Sequence, residues 1–86
     1  MSYSTLTTVE RHTAQKLART AGMFTVLSTI LHNNPTDDTF VEFDIGVEGD
    51  TTYSILLEGY EVYLVAYQEE ERRTLLPNYY KGMPIY

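Results

Sequence analysis

The sequence predicts an α+β fold in which an N-terminal helix packs on one face of an antiparallel meander of three to five strands. A segment with helical spacing precedes residue 22, period-two alternation dominates from residue 39 onward, and short glycine-containing turns separate the alternating segments. Consecutive strands with short links pair as a meander, whose apolar face needs a covering layer. Since 86 residues accommodate one hydrophobic core, we treat 1–86 as a single domain.

The helix has clear start and stop signals. Thr7 and Glu10 have the spacing of a capping box, with Thr7 as the N-cap residue. Good helix formers follow, and Gly22 can adopt the left-handed conformation that ends a helix. We predict a helix over Thr8–Ala21.

The next segment, Met23–Leu31, is ambiguous. Its apolar residues surround the helical axis, so a helix here would have to be buried on nearly all sides. The same residues also alternate as a strand, and the β-branched content favours the strand. The strand is our preferred interpretation, and a continued helix is the alternative.

The strands follow from alternation. In Thr39–Val47 we predict Val41, Phe43, Ile45 and Val47 on the buried side and Phe40, Glu42, Asp44 and Gly46 on the outer side. A turn is predicted at Glu48–Thr51, and a turn or kink at Glu58-Gly59. Further strands are predicted over Tyr53–Leu57, Tyr60–Gln68 and Arg72–Leu76, followed by an aromatic tail at residues 78–86.

Charge is segregated along the chain. Residues 35–71 contain eleven acids and no Lys or Arg, whereas the segments before and after carry net charges of +2 and +3, giving −6 for the chain. The acid-only stretch is rich in apolar residues, so it predicts a folded acidic region. A solvated face that maintains solubility is the simplest interpretation, and direct nucleic-acid binding is disfavoured. We interpret Glu69–Arg73 as an exposed turn with local charge pairing.

No catalytic residue, cofactor site or metal site is predicted. Cysteine is absent, and His12 and His32 lack sequence-local carboxylate partners. Asp37 and Asp38, or the set Asp44, Glu48 and Asp50, offer oxygen ligands without EF-hand spacing, so local hydrogen bonding is the favoured interpretation. The chain has no signal-peptide pattern and no apolar run of about 18 residues, so we expect a cytoplasmic protein that does not contact membranes.

Tyrosine is the other unusual feature, with eight residues in the chain and no Trp. Tyrosine combines a large apolar ring with a polar hydroxyl and is enriched at protein interfaces. We predict that tyrosines and acids from successive strands share the outer face and bind a protein partner; tyrosine pairs that only stabilise a bare sheet are the alternative. The predicted partner-binding residues are Glu42, Asp44, Tyr53, Glu61, Tyr63 and Tyr67.

These features predict a small acidic binding protein without enzymatic activity. Carboxylates on a rigid sheet can stand in for nucleic-acid phosphates and engage a basic nucleic-acid-binding protein. Small acidic inhibitors that bacterial viruses direct against host nucleases or defence proteins act in this way as a class. The comparison is an analogy with that class and not a match to a family. The alternatives are a homo-oligomeric structural or adaptor module, including a homodimer, and a small-ligand binder at a dimer seam.

Overall fold

The structure is a computed structural model, and it describes residues 4–33 and 36–76. Helix α1 spans Thr8–Thr20 and helix α2 spans Met23–His32. Strands β1 (Phe40–Glu48), β2 (Thr51–Glu58), β3 (Glu61–Tyr67) and β4 (Glu71–Leu76) form one antiparallel sheet in the order β1-β2-β3-β4. The predicted α+β meander is confirmed. The predicted aromatic tail lies outside the described residues.

Helix α1 begins and ends as its sequence predicts. The Thr7 hydroxyl accepts a hydrogen bond from the Glu10 backbone N–H at 3.2 Å, and the Glu10 carboxylate accepts one from the Thr7 backbone N–H at 2.9 Å. The capping box therefore satisfies two backbone donors at the helix start. At the other end, Gly22 has a left-handed backbone with φ of 71°, which separates α1 from α2.

The predicted strand at Met23–Leu31 is wrong, because these residues form helix α2. The decisive signal is a polar stripe with helical spacing that the sequence interpretation missed: Thr25, Ser28, Thr29 and His32. Within this stripe the Thr29 hydroxyl donates to the Thr25 carbonyl at 3.1 Å, and His32 Nδ1 donates to the Ser28 carbonyl at 2.6 Å. On the opposite side of α2, Leu27 is fully buried in the core.

The strands are joined by tight turns. Two-residue turns join β1 to β2 at Gly49-Asp50 and β2 to β3 at Gly59-Tyr60, and both glycines have φ of 62°. Positive φ at the first turn position suits the hairpin turns whose twist matches that of the strands. The turn predicted at Glu48–Thr51 is thus confirmed. The turn or kink predicted at Glu58-Gly59 is observed one residue later, at Gly59-Tyr60, because Glu58 and Glu61 pair and close the hairpin.

A bulge in β1 corrects the predicted alternation of that strand. Asp44 pairs with Ser54 but Gly46 pairs with Tyr53, so one extra residue lies between them. Beyond the bulge the faces exchange. Gly46 faces the core against Leu17, and Val47, predicted to be buried, points outward and is 63% exposed.

Both helices cover one face of the sheet, which we call the helix face. The core there combines Ala14, Ala18 and Leu27 of the helices with alternating residues of β2 and β3: Tyr53, Ile55, Leu57, Val62, Leu64 and Ala66. The opposite side of the sheet, which we call the outer face, carries the side chains of the alternate positions. This arrangement follows from the period of two in each strand.

The N-terminal segment closes the molecule along β4. Ser4 forms a parallel bridge with Arg72, its carbonyl accepts from the Arg73 backbone N–H at 2.9 Å, and the Leu6 backbone N–H donates to the Thr74 hydroxyl at 2.8 Å. The Arg72 guanidinium donates to both carboxylate oxygens of Glu10 at 2.6 Å. The start of the chain is therefore tied to its last described strand.

Candidate protein-interaction surface

Strand register arranges the outer face as four rows of side chains that cross the sheet. One row, for example, runs from Glu42 on β1 over Leu56 and Tyr63 to Leu75 on β4. The other rows are Phe40, Glu58 and Glu61; Asp44, Ser54, Val65 and Arg73; and Val47, Thr52, Tyr67 and Glu71. Side chains that are distant in sequence are neighbours within and between these rows.

Five of the six predicted partner-binding residues lie on this outer face: Glu42, Asp44, Glu61, Tyr63 and Tyr67. Tyr53 does not lie there. It pairs with Ala66 on the helix face and is 3% exposed, so it belongs to the core and we remove it from the candidate surface. The sequence prediction grouped Tyr53 with the tyrosines of the next strand without a register between the two strands. The observed antiparallel register places Tyr53 beside Ala66, on the face opposite to Tyr63 and Tyr67.

Two tyrosine hydroxyls bind carboxylates on the outer face. Tyr67 on β3 donates to Glu42 on β1, so its ring crosses over β2. Tyr63 donates to Glu61 at 2.7 Å on its own strand. The hydrogen bond to Glu61, together with burial and the negative charge of Glu61 and Glu58, raises the pKa of Tyr63 to about 12. Burial and the bond to Glu42 raise the pKa of Tyr67 as well. Both hydroxyls are protonated donors at neutral pH.

A third carboxylate on this face is held by a serine. The Ser54 hydroxyl is fully buried and donates to Asp44 at 2.9 Å. A buried hydroxyl needs such an acceptor, since leaving it unpaired costs free energy. The same bond fixes the Asp44 side chain against β2. Like the bonds from the tyrosines, it leaves the negative charge of the carboxylate in place.

The contacts of Arg73 on the outer face were not predicted from the sequence. Arg73 was included both in an exposed charged turn and in a strand over Arg72–Leu76; it lies in β4, and its guanidinium reaches across β3 to Glu58 at 3.1 Å. It also contacts Glu71 and lies 5.8 Å from the centre of the Tyr63 ring, in cation–π geometry. Its neighbour Arg72 points to the helix face and binds Glu10. Adjacent side chains of a strand point to opposite faces, so the pair Arg72-Arg73 within a strand could have predicted that one arginine lies on each face.

The outer face is strongly acidic. It carries five carboxylates (Glu42, Asp44, Glu58, Glu61 and Glu71) and one guanidinium, Arg73, a formal charge of −4. Arg73 pairs with Glu58 and Glu71. Hydroxyl groups position the other three carboxylates without neutralising them. The excess negative charge is therefore concentrated at the Glu42, Asp44 and Glu61 positions.

Beneath these polar groups the middle of the outer face is apolar and closely covered. Leu56 and Val65 lie on this face, yet they are almost completely buried. The exposed apolar side chains lie at its periphery, where Phe40 is 60% and Leu75 is 41% exposed. The accessible layer of this face therefore consists mainly of the polar groups described above, with Phe40 and Leu75 exposed at its edges.

Polar side chains also gather away from the outer face. In the part of the chain that the structure describes, no three His, Asp or Glu residues gather in a way that could hold a metal ion. Gln68, Glu69, Glu70 and Arg72 line an open polar depression near the β3–β4 turn. Across residues 4–33 and 36–76, neither helix has the length and apolar character needed to cross a bilayer.

Comparison of the chain with protein-family models, with curated proteins and with solved structures found no match.

Proposed function

We propose that this protein acts by binding a basic protein through its outer face. The observation that carries the proposal is the register of the sheet, which collects Glu42, Asp44 and Glu61 with two tyrosine rings on one side of a hydrogen-bonded sheet. Carboxylates attract a basic partner over about 8 Å at physiological salt, and aromatic rings contribute contact area once the surfaces meet.

Preorganisation supports this role. Each of the three carboxylates already accepts a hydrogen bond from a neighbouring hydroxyl, so its side chain is held before a partner arrives. Binding then costs less side-chain entropy than it would for freely rotating carboxylates. A face that only maintained solubility would not require such fixed positions.

Within this proposal, the basic partner is a nucleic-acid-binding protein, and the protein acts as its inhibitor. A fixed array of negative charges with flat rings offers the two features, charge and stacking surface, that nucleic-acid grooves recognise. An inhibitory role follows because an occupied groove excludes the nucleic acid. A phage-type inhibitor of a host nuclease or defence protein is the biological form that fits this chemistry.

The test is a quantitative capture experiment with two charge-matched variants. One variant carries Glu42→Lys and Glu61→Lys on the outer face, and the control carries Asp50→Lys and Glu69→Lys in exposed turns. Circular dichroism checks that both fold. We expect the wild type and the turn variant to retain basic proteins from a lysate, and the outer-face variant to lose them.

Two further measurements make the capture specific. The affinity of a captured partner should fall about tenfold or more between 50 and 200 mM salt, and an oligonucleotide should displace the protein from that partner. Equal retention by all three proteins, or affinity that does not respond to salt, would reject binding through the acidic outer face.

A further inference from the structure

The two edges of the sheet differ. Along β4, the N-terminal segment bridges Arg72 and hydrogen-bonds with Arg73 and Thr74. Along the far side of β1, no strand within residues 4–33 and 36–76 pairs. An edge strand presents backbone N–H and C=O groups that can accept an additional strand.

The first half of β1 is a regular template for such a strand. From Phe40 to Asp44 it pairs with β2 in unbroken register, and the bulge before Gly46 ends this regular run. Val41 and Phe43 are half-buried on the helix face, while Glu42 and Asp44 are exposed on the outer face. The edge therefore offers five residues with apolar character on one side and negative charge on the other.

Charge excludes a second copy of this chain as the favoured occupant. The in-register antiparallel alignment of two Phe40–Asp44 runs keeps both outer faces on the same side of the joined sheet and places Glu42 opposite Glu42. Like charges directly opposite each other on a sheet are destabilising. Acidic side chains on an edge strand protect it against self-pairing and favour a strand with basic side chains.

We infer that the Phe40–Asp44 edge of β1 accepts an extended segment of the basic partner as an added strand. Residues beside Glu42 and Asp44 on the outer face are two apart in the added strand, so the segment has Lys or Arg at positions i and i+2. The residues between and flanking them are apolar and lie beside Val41 and Phe43. This inference rests on the proposed function and specifies how the partner is held.

The probe is a blocked seven-residue peptide in which lysine alternates with valine. Two matched peptides carry N-methyl groups. One is methylated on its odd-numbered amides and the other on its even-numbered amides. Alternate amides of a strand point to opposite sides, so only one set faces β1. All three peptides have the same sequence and charge. The experiment measures their affinity for the full chain and the hydrogen exchange of the β1 amides.

We expect the unmethylated peptide and one methylated peptide to bind, and the other methylated peptide to bind at least about tenfold more weakly, because its backbone donors are blocked. Binding should slow exchange of amides in Phe40–Asp44 and leave those of β4 unchanged. Glu42→Lys should weaken the binding peptides, whereas the turn variant Asp50→Lys should not.

The outcomes separate this inference from the proposed function. If both methylated peptides bind as tightly as the parent and still depend on Glu42, strand addition is rejected and charge recognition by the outer face stands. If the unmethylated peptide does not bind, or if exchange in β1 does not change, strand addition is also rejected. Recognition of a partner by the outer face is then decided by the capture experiment alone.

Discussion

Glu10 illustrates how one side chain can serve two parts of the structure. Its carboxylate completes the capping box at the start of α1, and the same two oxygens accept both hydrogen bonds from the Arg72 guanidinium. The bonds from Arg72 and from the Thr7 backbone N–H lower the pKa of Glu10 from 4.5 to about 2. The residue that caps the helix locally thus also binds a residue 62 positions away in the sequence.

This pKa predicts an acid-dependent loss of stability. Because the pKa of Glu10 is lower in the folded state, the stabilisation is present above pH 4.5 and is lost as the pH falls from about 4.5 to 2. Side chains in this pair are 17% and 18% exposed, so we expect about 1–2 kcal/mol, less than the full pKa difference would imply. In urea unfolding, Glu10→Gln should lower the free energy of unfolding by this amount at pH 7. Below pH 4.5 the stability of the variant should depend less on pH than that of the wild type. Glu69→Gln in an exposed turn is the control, and an unchanged acid limb in Glu10→Gln would contradict the assignment.

At the level of single residues, what the sequence could predict depended on distance along the chain. The capping box at Thr7 and Glu10 was predicted because its two residues are three apart. The Arg72 partner of Glu10 could not be predicted, since it requires β4 to lie beside the start of α1. The contact of Arg73 with Glu58, 15 residues away, could not be predicted for the same reason.

Among the secondary-structure elements, β1 shows how one irregularity changes a surface. The bulge turns Gly46 inward, where a side chain would meet Leu17, and turns Val47 outward. Period-two alternation predicted residues 40–45 on their observed faces but could not predict the bulge, because alternation carries no signal for an inserted residue. The glycine at position 46 is compatible with the bulge, although glycine alone does not specify one.

Replacement of this glycine is expected to be destabilising. An alanine Cβ at Gly46 would lie 3.0 Å from Leu17 Cδ2, and the φ of 150° is unfavourable for residues with a side chain. We expect Gly46→Ala to lower the free energy of unfolding by about 1–3 kcal/mol, measured by urea denaturation. The exposed neighbour provides the control: Val47→Ala should change it by less than about 0.5 kcal/mol. Equal denaturation midpoints for the two variants would contradict the packing described here.

Helix α2 was the element that the sequence misassigned. Its β-branched residues suggested a strand, but the stripe from Thr25 to His32 has helical spacing, and burial of Leu27 against the core stabilises the helix. Intrinsic β-propensity is a weak preference that packing overrides. Within residues 4–33 and 36–76 the sheet consists of β1 to β4, and α2 packs on it instead of adding a strand.

For the molecule as a whole, the two faces of the sheet are stabilised differently. The helix face is an apolar core, whereas long polar side chains cross the outer face: Tyr67 spans β2 to reach Glu42, and Arg73 spans β3 to reach Glu58. Alternation in the sequence predicted that acids and tyrosines share the outer face. It could not predict these crossings, because they depend on which strands are neighbours and in what register.

The raised pKa of Tyr63 predicts an alkaline limb in the stability of the fold. Since its pKa rises from 10 in the unfolded chain to about 12, the stabilisation is present below pH 10 and is lost as the pH rises from 10 to 12. The free energy of unfolding, measured by chemical denaturation between pH 9 and 12, should therefore fall less steeply with pH in Tyr63→Phe than in the wild type. The difference in slope should be up to about 1.4 kcal/mol per pH unit. Tyr60→Phe in the β2–β3 turn is the control. Identical pH profiles for the wild type and Tyr63→Phe would show that this hydroxyl does not contribute to the pH dependence of stability.

The closure of the N-terminal segment along β4 has a consequence for kinetics. The meander grows by hairpins between consecutive strands, but the bond from Leu6 to Thr74 joins residues 68 positions apart and needs almost the entire described chain in place. Contacts of such long sequence separation are entropically costly to form early, so this closure belongs after the rate-limiting barrier of folding. Weakening it should therefore accelerate unfolding and leave the folding rate nearly unchanged, which makes the lifetime of the native state depend on a few residues at its start.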